Sequence, residues 1–340
     1  MKAWWLIPLV AGASLLLTAV LRRYALNKQI IDVPNARSSH TVPTPRGGGV
    51  AIVLSFLACL PVLALSDAVP LSTLVAIGGA GGLIAVIGFM DDHAHIAARW
   101  RLLGHLAAAG WMLYWLGGLA PLQVFGFTVD LQWFGYILAA FYAVWMLNLY
   151  NFMDGIDGIA SAEAVTVCLG MVLLAALVGA PQLMVLPLLL AAATVGFLFW
   201  NFPPAKIFMG DAGSGFLGIV LAGMSLQTAW AAPQLFWCWL ILLGVFVVDA
   251  TFTLFRRLQR GDKVYEAHRS HAYQFASRHY GKHLPVTLAV VALNLFWLLP
   301  VALCVLLLGL DGVLGVIIGY LPLAFLAARW RAGELEHSLK

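Results

Sequence analysis

The sequence predicts an all-α, polytopic integral membrane protein, and two observations carry that prediction. Hydrophobic residues make up 62% of the 340 residues and charged residues only 10%, whereas a soluble domain carries about 25% charged residues. Every Lys and Arg except Lys2 lies in alternate breaks between hydrophobic segments. Because positively charged loops remain in the cytoplasm, this distribution predicts a periplasmic N-terminus and a cytoplasmic C-terminus.

The chain offers eleven segments that could each supply the roughly 20 apolar residues of a membrane-spanning helix. An odd number places the two termini on opposite sides of the membrane, as the basic residues require. We expect the first segment to be retained as a helix, because its charges follow its apolar stretch instead of preceding it. The predicted spans are 3–21, 48–66, 71–90, 103–120, 133–150, 161–180, 182–200, 212–230, 235–255, 286–308 and 310–328.

The breaks on the predicted cytoplasmic side are the longer ones, and they contain nearly all the ionisable residues. We therefore expect a single transmembrane domain over residues 1–340, with its catalytic loops in the cytoplasm. These loops are 22–47, 91–102, 148–160, 201–211 and 256–285. The net charge of +4 does not indicate a nucleic-acid partner, because no Lys/Arg stripe alternates with aromatic residues.

Carboxylates at two span ends are candidates for a ligand site. Asp91 and Asp92 end the third span, where adjacent acids repel each other and cost desolvation unless a cation or base lies nearby. Asp211 begins the eighth span, where an aspartate can be an ordinary N-cap. Lys206 and the Gly-Asp-x-Gly-Ser turn give equal weight to a metal-binding carboxylate beside a phosphate-binding helix start.

Four polar residues recur at every third position from the end of the fifth span: Asn148, Asn151, Asp154 and Asp157. The two asparagines share a face of a helix. The glycines that follow each aspartate can end the helix and turn both carboxylates toward the same cavity. Amide and carboxylate oxygens suit a hard cation and its phosphate ligands. A capped helix end followed by a turn would explain one Asn and one Asp, but not all four.

Basic residues in two cytoplasmic loops are candidates for binding phosphate. They are Arg37, His40 and Arg46 in the first loop, and His268, Arg269 and His271 in the last. Prolines and glycines around the first group give a rigid backbone that suits phosphate capture. The alternatives are a positive-inside anchor for the first loop and contact with anionic lipid for the last. A zinc site is not expected, because too few ligands are present.

Together these clusters favour phosphoryl chemistry on a lipid at the cytoplasmic surface, since acids suit a cation and bases suit phosphates. A transporter of divalent cations or organic anions is the main alternative, because acids inside membranes are often transport sites. Transport would require polar groups near mid-membrane and on both faces. The spans are nearly free of such groups, and the main exceptions, Glu163 and Asp249, lie close to the inner ends of their spans. A non-catalytic lipid-binding protein or scaffold would leave five polar clusters unexplained.

The motifs resemble those of the polyprenyl-phosphate N-acetylhexosamine-1-phosphate transferases of the glycosyltransferase family 4 type. The resemblance covers essentially the whole chain, including eleven spans and an external N-terminus. The motifs that carry it are Met90-Asp91-Asp92, Asn148 to Gly158, Phe208 to Ser214 and His268 to His271. The run from Arg37 through His40 to Arg46 and Gly49 is most similar to the branch that initiates O-antigen, a part of lipopolysaccharide, in Gram-negative bacteria.

The resemblance implies transfer of a sugar 1-phosphate from a UDP-N-acetylhexosamine to undecaprenyl phosphate, with release of UMP, on the cytoplasmic face of the inner membrane. The acceptor's phosphate would lie at the interface and its tail in the bilayer, in a groove open sideways to lipid. The sequence leaves open the sugar and the choice between direct attack and a covalent intermediate. Homodimers occur in the family.

The resemblance also implies residue roles. It makes Asp211 the principal ligand of Mg²⁺, with Mn²⁺ as an alternative ion, and Asn151 a second ligand. Asp91 or Asp92 would act on the lipid phosphate as a base or contribute to metal binding. The remaining matches are Asp154 and Asp157 near the nucleotide and metal, and His268, Arg269 and His271 at the pyrophosphate.

Overall fold

The computed structural model describes residues 4–34, 39–94, 96–263 and 268–335. The first half of the fold contains α1 (Leu6–Asn27), α2 (Val50–Leu57), α3 (Leu60–Leu65), α4 (Leu71–His93), α5 (Ala98–Leu116), α6 (Gln132–Met153) and α7 (Ile159–Leu177). The second half contains α8 (Val185–Asn201), α9 (Asp211–Ala231), α10 (Pro233–Leu242), α11 (Gly244–Gln259), α12 (Ala272–Tyr280), α13 (Leu284–Leu293), α14 (Leu299–Leu307) and α15 (Gly312–Arg329). The predicted all-α class is confirmed.

Short non-α elements join these helices. A 3₁₀ turn, Pro181–Met184, precedes α8, and a π-helical turn, Asn294–Leu298, connects α13 to α14. Strand β1 (Ile31–Asp32) pairs antiparallel with β2 (Thr44–Pro45). Strand β3 (Leu122–Val124) pairs antiparallel with β4 (Phe127–Val129), which leads into α6.

The described residues include eight helices long and apolar enough to cross a membrane, or nine if the bent pair α10 and α11 is one span. A multi-pass membrane architecture is therefore confirmed, while the count of eleven and the orientation of the termini stay predictions. Predicted span 48–66 is divided into the shorter helices α2 and α3. Predicted span 103–120 corresponds to α5, whose first half carries Arg99, Arg101 and His105 and is correspondingly polar.

Helix α9 lies at the centre of the bundle, since 94% of its apolar span is buried inside the protein. It packs against α4 and α6, and small residues permit the close approach. Gly81 of α4 lies against Phe216 of α9, and Gly218 of α9 lies against the main chain of Met146 and Leu147 in α6. This packing brings the end of α4 and the end of α6 to the start of α9, where Asp211 lies.

The contact between Gly88 and the start of α9 gives a prediction about stability. A Cβ atom on Gly88 would lie 2.5 Å from the main-chain carbonyl of Asp211 and 2.6 Å from Ala212 N, and backbone atoms cannot move aside as a side chain can. We expect Gly88→Ala to cost about 1–3 kcal/mol and to lower the unfolding temperature in detergent by several degrees.

Gly82→Ala is the matched control, because it lies in the same helix and its Cβ would meet only Leu57 Cδ1, at 3.8 Å. Both substitutions gain the same helix propensity. Equal unfolding temperatures for the two variants would contradict the packing described here.

Candidate active site

A polar cavity of about 520 Å³ lies where α4 and α6 end and α9 begins. Its acidic and amide lining includes Asp32, Asp92, Asn151, Asp154, Asp157 and Asp211, and its basic lining consists of His40, Arg46 and His283. Five stretches that are far apart in the sequence therefore contribute to one space. We call this space the main cavity.

Main-chain pairing holds the first loop beside the start of α9. Phe208 N donates to Pro45 O at 2.8 Å, and Gly48 N and Gly49 N donate to the carbonyls of Phe208 and Met209 at 2.9 and 2.8 Å. The glycines permit this approach, because a Cβ on Gly49 would lie 2.6 Å from Gly213 Cα. This ribbon carries Arg46 to the main cavity, where it donates to Asp92 O.

Asn151 and Asp211 meet directly. Asn151 Nδ2 donates to Asp211 Oδ1 at 3.0 Å and to Ser214 Oγ at 2.9 Å. The amide nitrogen faces the carboxylate, so Asn151 orients Asp211 in this structure. To bind a metal beside Asp211, as the sequence predicts, Asn151 would have to turn its amide over.

The adjacent aspartates at the end of α4 serve different cavities. Asp92 is buried and lines the main cavity, where its Oδ2 accepts from Ala212 N at 3.4 Å and its carbonyl accepts from Arg46. Asp91 lines a second cavity of about 230 Å³ and forms a salt bridge with Arg101. Successive helix residues point about 100° apart, which separates the two carboxylates.

Arg101 was not selected from the sequence. Its Nη1 atom contacts Asp91 and lies 4.0 Å from Asp211 Oδ2, so one guanidinium lies beside two of the acids. The signal that could have identified it is its place in the first turn of α5, directly after the short loop that follows Asp91 and Asp92. Asp211 and Asn151 line both cavities, and Asn148 lines only the second, its Nδ2 donating to Val144 O at 2.7 Å.

Asp154 follows the last residue of α6 and faces the main cavity. Desolvation of this carboxyl, followed by repulsion from Asp211, Asp92 and Asp157, holds its pKa well above its ordinary value. The cavity thus gathers more carboxylates than can comfortably ionise together. A bound cation would relieve that repulsion.

Asp157 is engaged in hydrogen bonds that shape the cavity wall. Its Oδ2 accepts from Ala205 N at 3.0 Å, its Oδ1 lies 3.1 Å from His283 Nδ1, and its carbonyl accepts from Thr287 Oγ1 at 2.8 Å. These contacts join the loop before α9 to the start of α13. Asp157 braces the edge of the site through these contacts and also lines the main cavity, and its catalytic role stays a prediction.

The predicted phosphate-binding residues His40 and Lys206 do not share one location. His40 lines the main cavity and packs its ring edge-on against Phe208, with centroids 4.8 Å apart. The expectation for Lys206 is corrected, because its ammonium lies over the rings of Phe199 and Trp200, at 5.8 and 5.5 Å, and not in the main cavity. Arg37 lies outside the described residues.

The segment just before α12, which holds His268 to His271, does not line the main cavity. His271 is buried, and its Nδ1 lies 3.3 Å from Asp249 Oδ1. The Asp249 carboxylate also accepts from Ala272 N and Tyr273 N, at 2.9 and 3.0 Å, so it caps α12 from within α11. The role of His271 at the pyrophosphate stays a prediction: Asp249 holds its Nδ1, and His271 is not among the residues that line the main cavity. Gln274 of α12 lines the cavity instead.

His268 and Arg269 belong to the same segment before α12. His268 Nδ1 lies 2.9 Å from Ser270 Oγ, and its ring centroid lies 4.9 Å from that of His271. Burial, followed by the charges of His271 and Arg257, lowers the pKa of His268 to about 3. Its neutral ring cannot supply a positive charge to a phosphate at neutral pH. Arg269 accepts a hydrogen bond through its carbonyl from Arg278 Nη2, at 3.2 Å.

The side chains available as metal ligands fit an ion that arrives with its substrate. Among the residues that the structure describes, no group of three or more His, Cys, Asp or Glu side chains could hold a metal unaided. Magnesium in phosphoryl-transfer sites is commonly bound by one or two carboxylates together with substrate phosphates and water. The Asp211 side chain is 40% exposed and can be such a ligand.

His283, which was not selected from the sequence, gives a prediction about pH. Burial alone would lower its pKa, but the hydrogen bond and charge of Asp157 outweigh burial and raise that pKa above 6.5. The pair therefore stabilises the fold fully below about pH 6.5 and loses that contribution as pH rises through the folded-state pKa. We expect the unfolding temperature of His283→Gln to fall below that of the wild type most at about pH 5.5 and least at about pH 8.5.

His93→Gln is the control for this experiment, because His93 is exposed on the last turn of α4. It should leave the pH dependence of the unfolding temperature unchanged. A gap between wild type and His283→Gln that stays constant across this range would refute the ion pair.

Comparisons with known proteins agree with the motifs. Residues 74–229 match the model of glycosyl transferase family 4. A protein of Bacillus subtilis named probable undecaprenyl-phosphate N-acetylglucosaminyl 1-phosphate transferase is 34% identical over 76% of this chain and 73% of its own length.

Two further relatives have related names. A phospho-N-acetylmuramoyl-pentapeptide-transferase of Moorella thermoacetica is 33% identical over 65% of this chain and 72% of its own length. A decaprenyl-phosphate N-acetylglucosaminephosphotransferase of Mycolicibacterium smegmatis is 32% identical over 74% of this chain and 71% of its own length. With these similarities and its motifs, the chain belongs to the polyprenyl-phosphate N-acetylhexosamine-1-phosphate transferase family.

Proposed function

We propose that this protein transfers N-acetylhexosamine 1-phosphate from a UDP-sugar to undecaprenyl phosphate and releases UMP, at the cytoplasmic face of a bacterial inner membrane. The observation that carries the proposal is the position of Asp211 between two cavities of different character. One cavity suits a charged nucleotide sugar, and the other suits a phosphate attached to a hydrocarbon chain. Membership of the transferase family argues against the transporter alternative.

The main cavity has the composition expected for the donor. His40, Arg46 and His283 supply positive charge or hydrogen-bond donors to a diphosphate, and Gln274 and Ser39 add neutral polar contacts. Its volume of about 520 Å³ lies within the range of ordinary ligand pockets, about 300–1,000 Å³. We therefore assign it to the UDP-sugar.

The second cavity has the composition expected for the acceptor's head. Arg101 and His105 are its basic residues, and the apolar side chains of Ile84, Ile87 and Leu102 line it between α4 and α5. A lipid phosphate could pair with Arg101 while its first isoprene units contact the apolar wall. Undecaprenyl phosphate would then approach Asp211 from the side opposite the donor.

The reaction exchanges one phosphoanhydride for another. An oxygen of the lipid phosphate forms a bond to the phosphorus next to the sugar, and the bond from that phosphorus to the bridging oxygen of UMP breaks. Bound Mg²⁺ supplies charge that lets the two anionic substrates approach each other. Asp211, oriented by Asn151, would hold the ion. Arg101, which pairs with Asp91, would bind the lipid phosphate.

Direct attack needs no nucleophile from the protein. A phosphate monoester has its second pKa near 6, so most of the acceptor is already a dianion at neutral pH. Asp91 lies beside Arg101, where it can hold the guanidinium in place or accept the remaining proton. We therefore favour direct attack by the lipid phosphate over a covalent enzyme intermediate.

The relatives name different sugars, N-acetylglucosamine in Bacillus subtilis and phospho-N-acetylmuramoyl-pentapeptide in Moorella thermoacetica. We propose a UDP-N-acetylhexosamine donor and a role at the start of O-antigen synthesis, on the strength of the motif around Arg37, His40 and Arg46. A panel of UDP-N-acetylglucosamine, its 6-deoxy relatives and UDP-N-acetylmuramoyl-pentapeptide, assayed for UMP release with undecaprenyl phosphate, tests the assignment. Turnover of the muramoyl-pentapeptide donor alone would refute it.

Asp211→Asn tests the metal assignment. The amide keeps the size of the side chain but removes the charge that binds Mg²⁺, so we expect UMP release to fall at least about a hundredfold. Asp67→Asn, at the turn after α3, is the control and should keep wild-type activity. Unfolding temperatures of both variants establish that they are folded, and a fully active Asp211→Asn protein would exclude Asp211 as the principal ligand.

A further inference from the structure

The segment after α15, Trp330–Glu334, folds back onto the loop that precedes α12. Gly333 N donates to Ser270 O at 2.7 Å. Ser270 is buried, and it belongs to the His268–His271 motif. Ala332 is fully buried and belongs to a small apolar cluster with Ala272 and Ala327. We call Trp330–Glu334 the C-terminal clamp.

Two arginines of α11 hold the clamp in place. Arg256 Nη1 donates to Ala332 O and to Glu334 Oε1, each at 3.1 Å. The Nη1 atom of Arg260 donates to Gly333 O at 2.6 Å. The carbonyl groups of Ala332 and Gly333 are therefore fixed on either side of Gly333 N, and the Gly333 N–H points at Ser270 O.

The clamp contacts both ends of α12. At the start it holds Ser270, which precedes the capping residue His271. At the end, the ring of Trp330 packs against those of His279 and Tyr280, with centroids 5.4 and 5.9 Å apart. A helix of nine residues held at both ends has little freedom to shift.

Helix α12 in turn reaches the site. Gln274 lines the main cavity, and Tyr273 Oη donates to Phe152 O at 2.9 Å, close to Asn151 and Asp154. We infer that the C-terminal clamp is a positioning element for the donor site, holding α12 so that Gln274 and the end of α6 are correctly placed. The functional part of this inference rests on the proposed function, because it assigns the main cavity to the UDP-sugar.

Gly333 provides a sharp test of the clamp. Its φ is +80°, and a Cβ there would lie 2.7 Å from Arg256 Cβ and 3.1 Å from Thr253 O. Gly333→Ala should therefore push the clamp off α11 and release Ser270. Gly126→Ala is the matched control, since Gly126 has the same φ of +80° with nothing within 4 Å of the added atom, and it lies in the β3–β4 turn at the opposite end of α6.

Hydrogen exchange of the His271–Gln274 amides reports the clamp without reference to activity. We expect Gly333→Ala and Arg256→Ala to speed that exchange about tenfold and to raise the KM for the UDP-sugar about tenfold, with kcat within about twofold. Arg256→Lys, which can still donate to Ala332 O, should recover most of both losses. Gly126→Ala should match the wild type in exchange and kinetics.

The outcomes separate the clamp from the proposed function. Unchanged exchange in both Gly333→Ala and Arg256→Ala would overturn the clamp, whatever the protein turns over. Faster exchange with an unchanged KM would overturn its role in the donor site. A wild-type protein that turns over no donor in the panel would refute the proposed function, and the exchange rates would then decide alone whether the clamp holds α12.

Discussion

The gathering of carboxylates around one cavity is the constraint on which the rest of the site depends. Asp92, Asp154, Asp157 and Asp211 come from three separate stretches and line the same space. Like charges at close range disfavour one another's ionisation. Burial first, and then the charges of Asp211, Asp92 and Asp157, raise the pKa of Asp154 well above its ordinary value. The Arg101 guanidinium beside Asp91 and Asp211 opposes this repulsion. So do the main-chain N–H groups that donate to Asp157 and Asp92. The proposed Mg²⁺ would oppose it further.

Small residues in the helices make this gathering possible. Gly88 lets the end of α4 touch the main chain of Asp211, and Gly218 lets α9 approach α6. Membrane helices gain little from burying apolar side chains against one another, because lipid is equally apolar. Close backbone contact between α4, α6 and α9 therefore holds the acids together. A substitution at these contacts can displace Asp211 even when it changes no charge.

Much of the fold could be predicted from the sequence. Runs of apolar residues identified the helices, and breaks rich in polar residues identified the stretches that meet at Asp211 and Asn151. The division of span 48–66 into α2 and α3 and the 66° bend between α10 and α11 were missed, because apolar length does not reveal a break. Arg101 and the polar first half of α5 were missed for a related reason, because the charges of α5 lie inside a helix and not in a loop.

The site was predicted less completely than the fold, and the errors have a common physical cause. A motif identifies residue types, but side-chain direction depends on neighbours that are distant in sequence. Asp249 of α11 binds Nδ1 of His271, and the ammonium of Lys206 lies over the rings of Phe199 and Trp200. Neither residue lines the main cavity. His283 and Gln274 were overlooked because neither belongs to a recognisable cluster, although both line the cavity.

The separation of Asp91 from Asp92 has a consequence for the chemistry. Two adjacent residues at a helix end point about 100° apart, so α4 presents one carboxylate to each cavity, with Asp211 between them. Phosphoryl transfer proceeds with the entering and leaving oxygens roughly in line on opposite sides of phosphorus. In the proposed function, the donor would occupy one cavity and the acceptor the other, and both would reach Asp211, which lines both. The paired aspartates thus suit a reaction between two anions better than a pair directed at a single cation would.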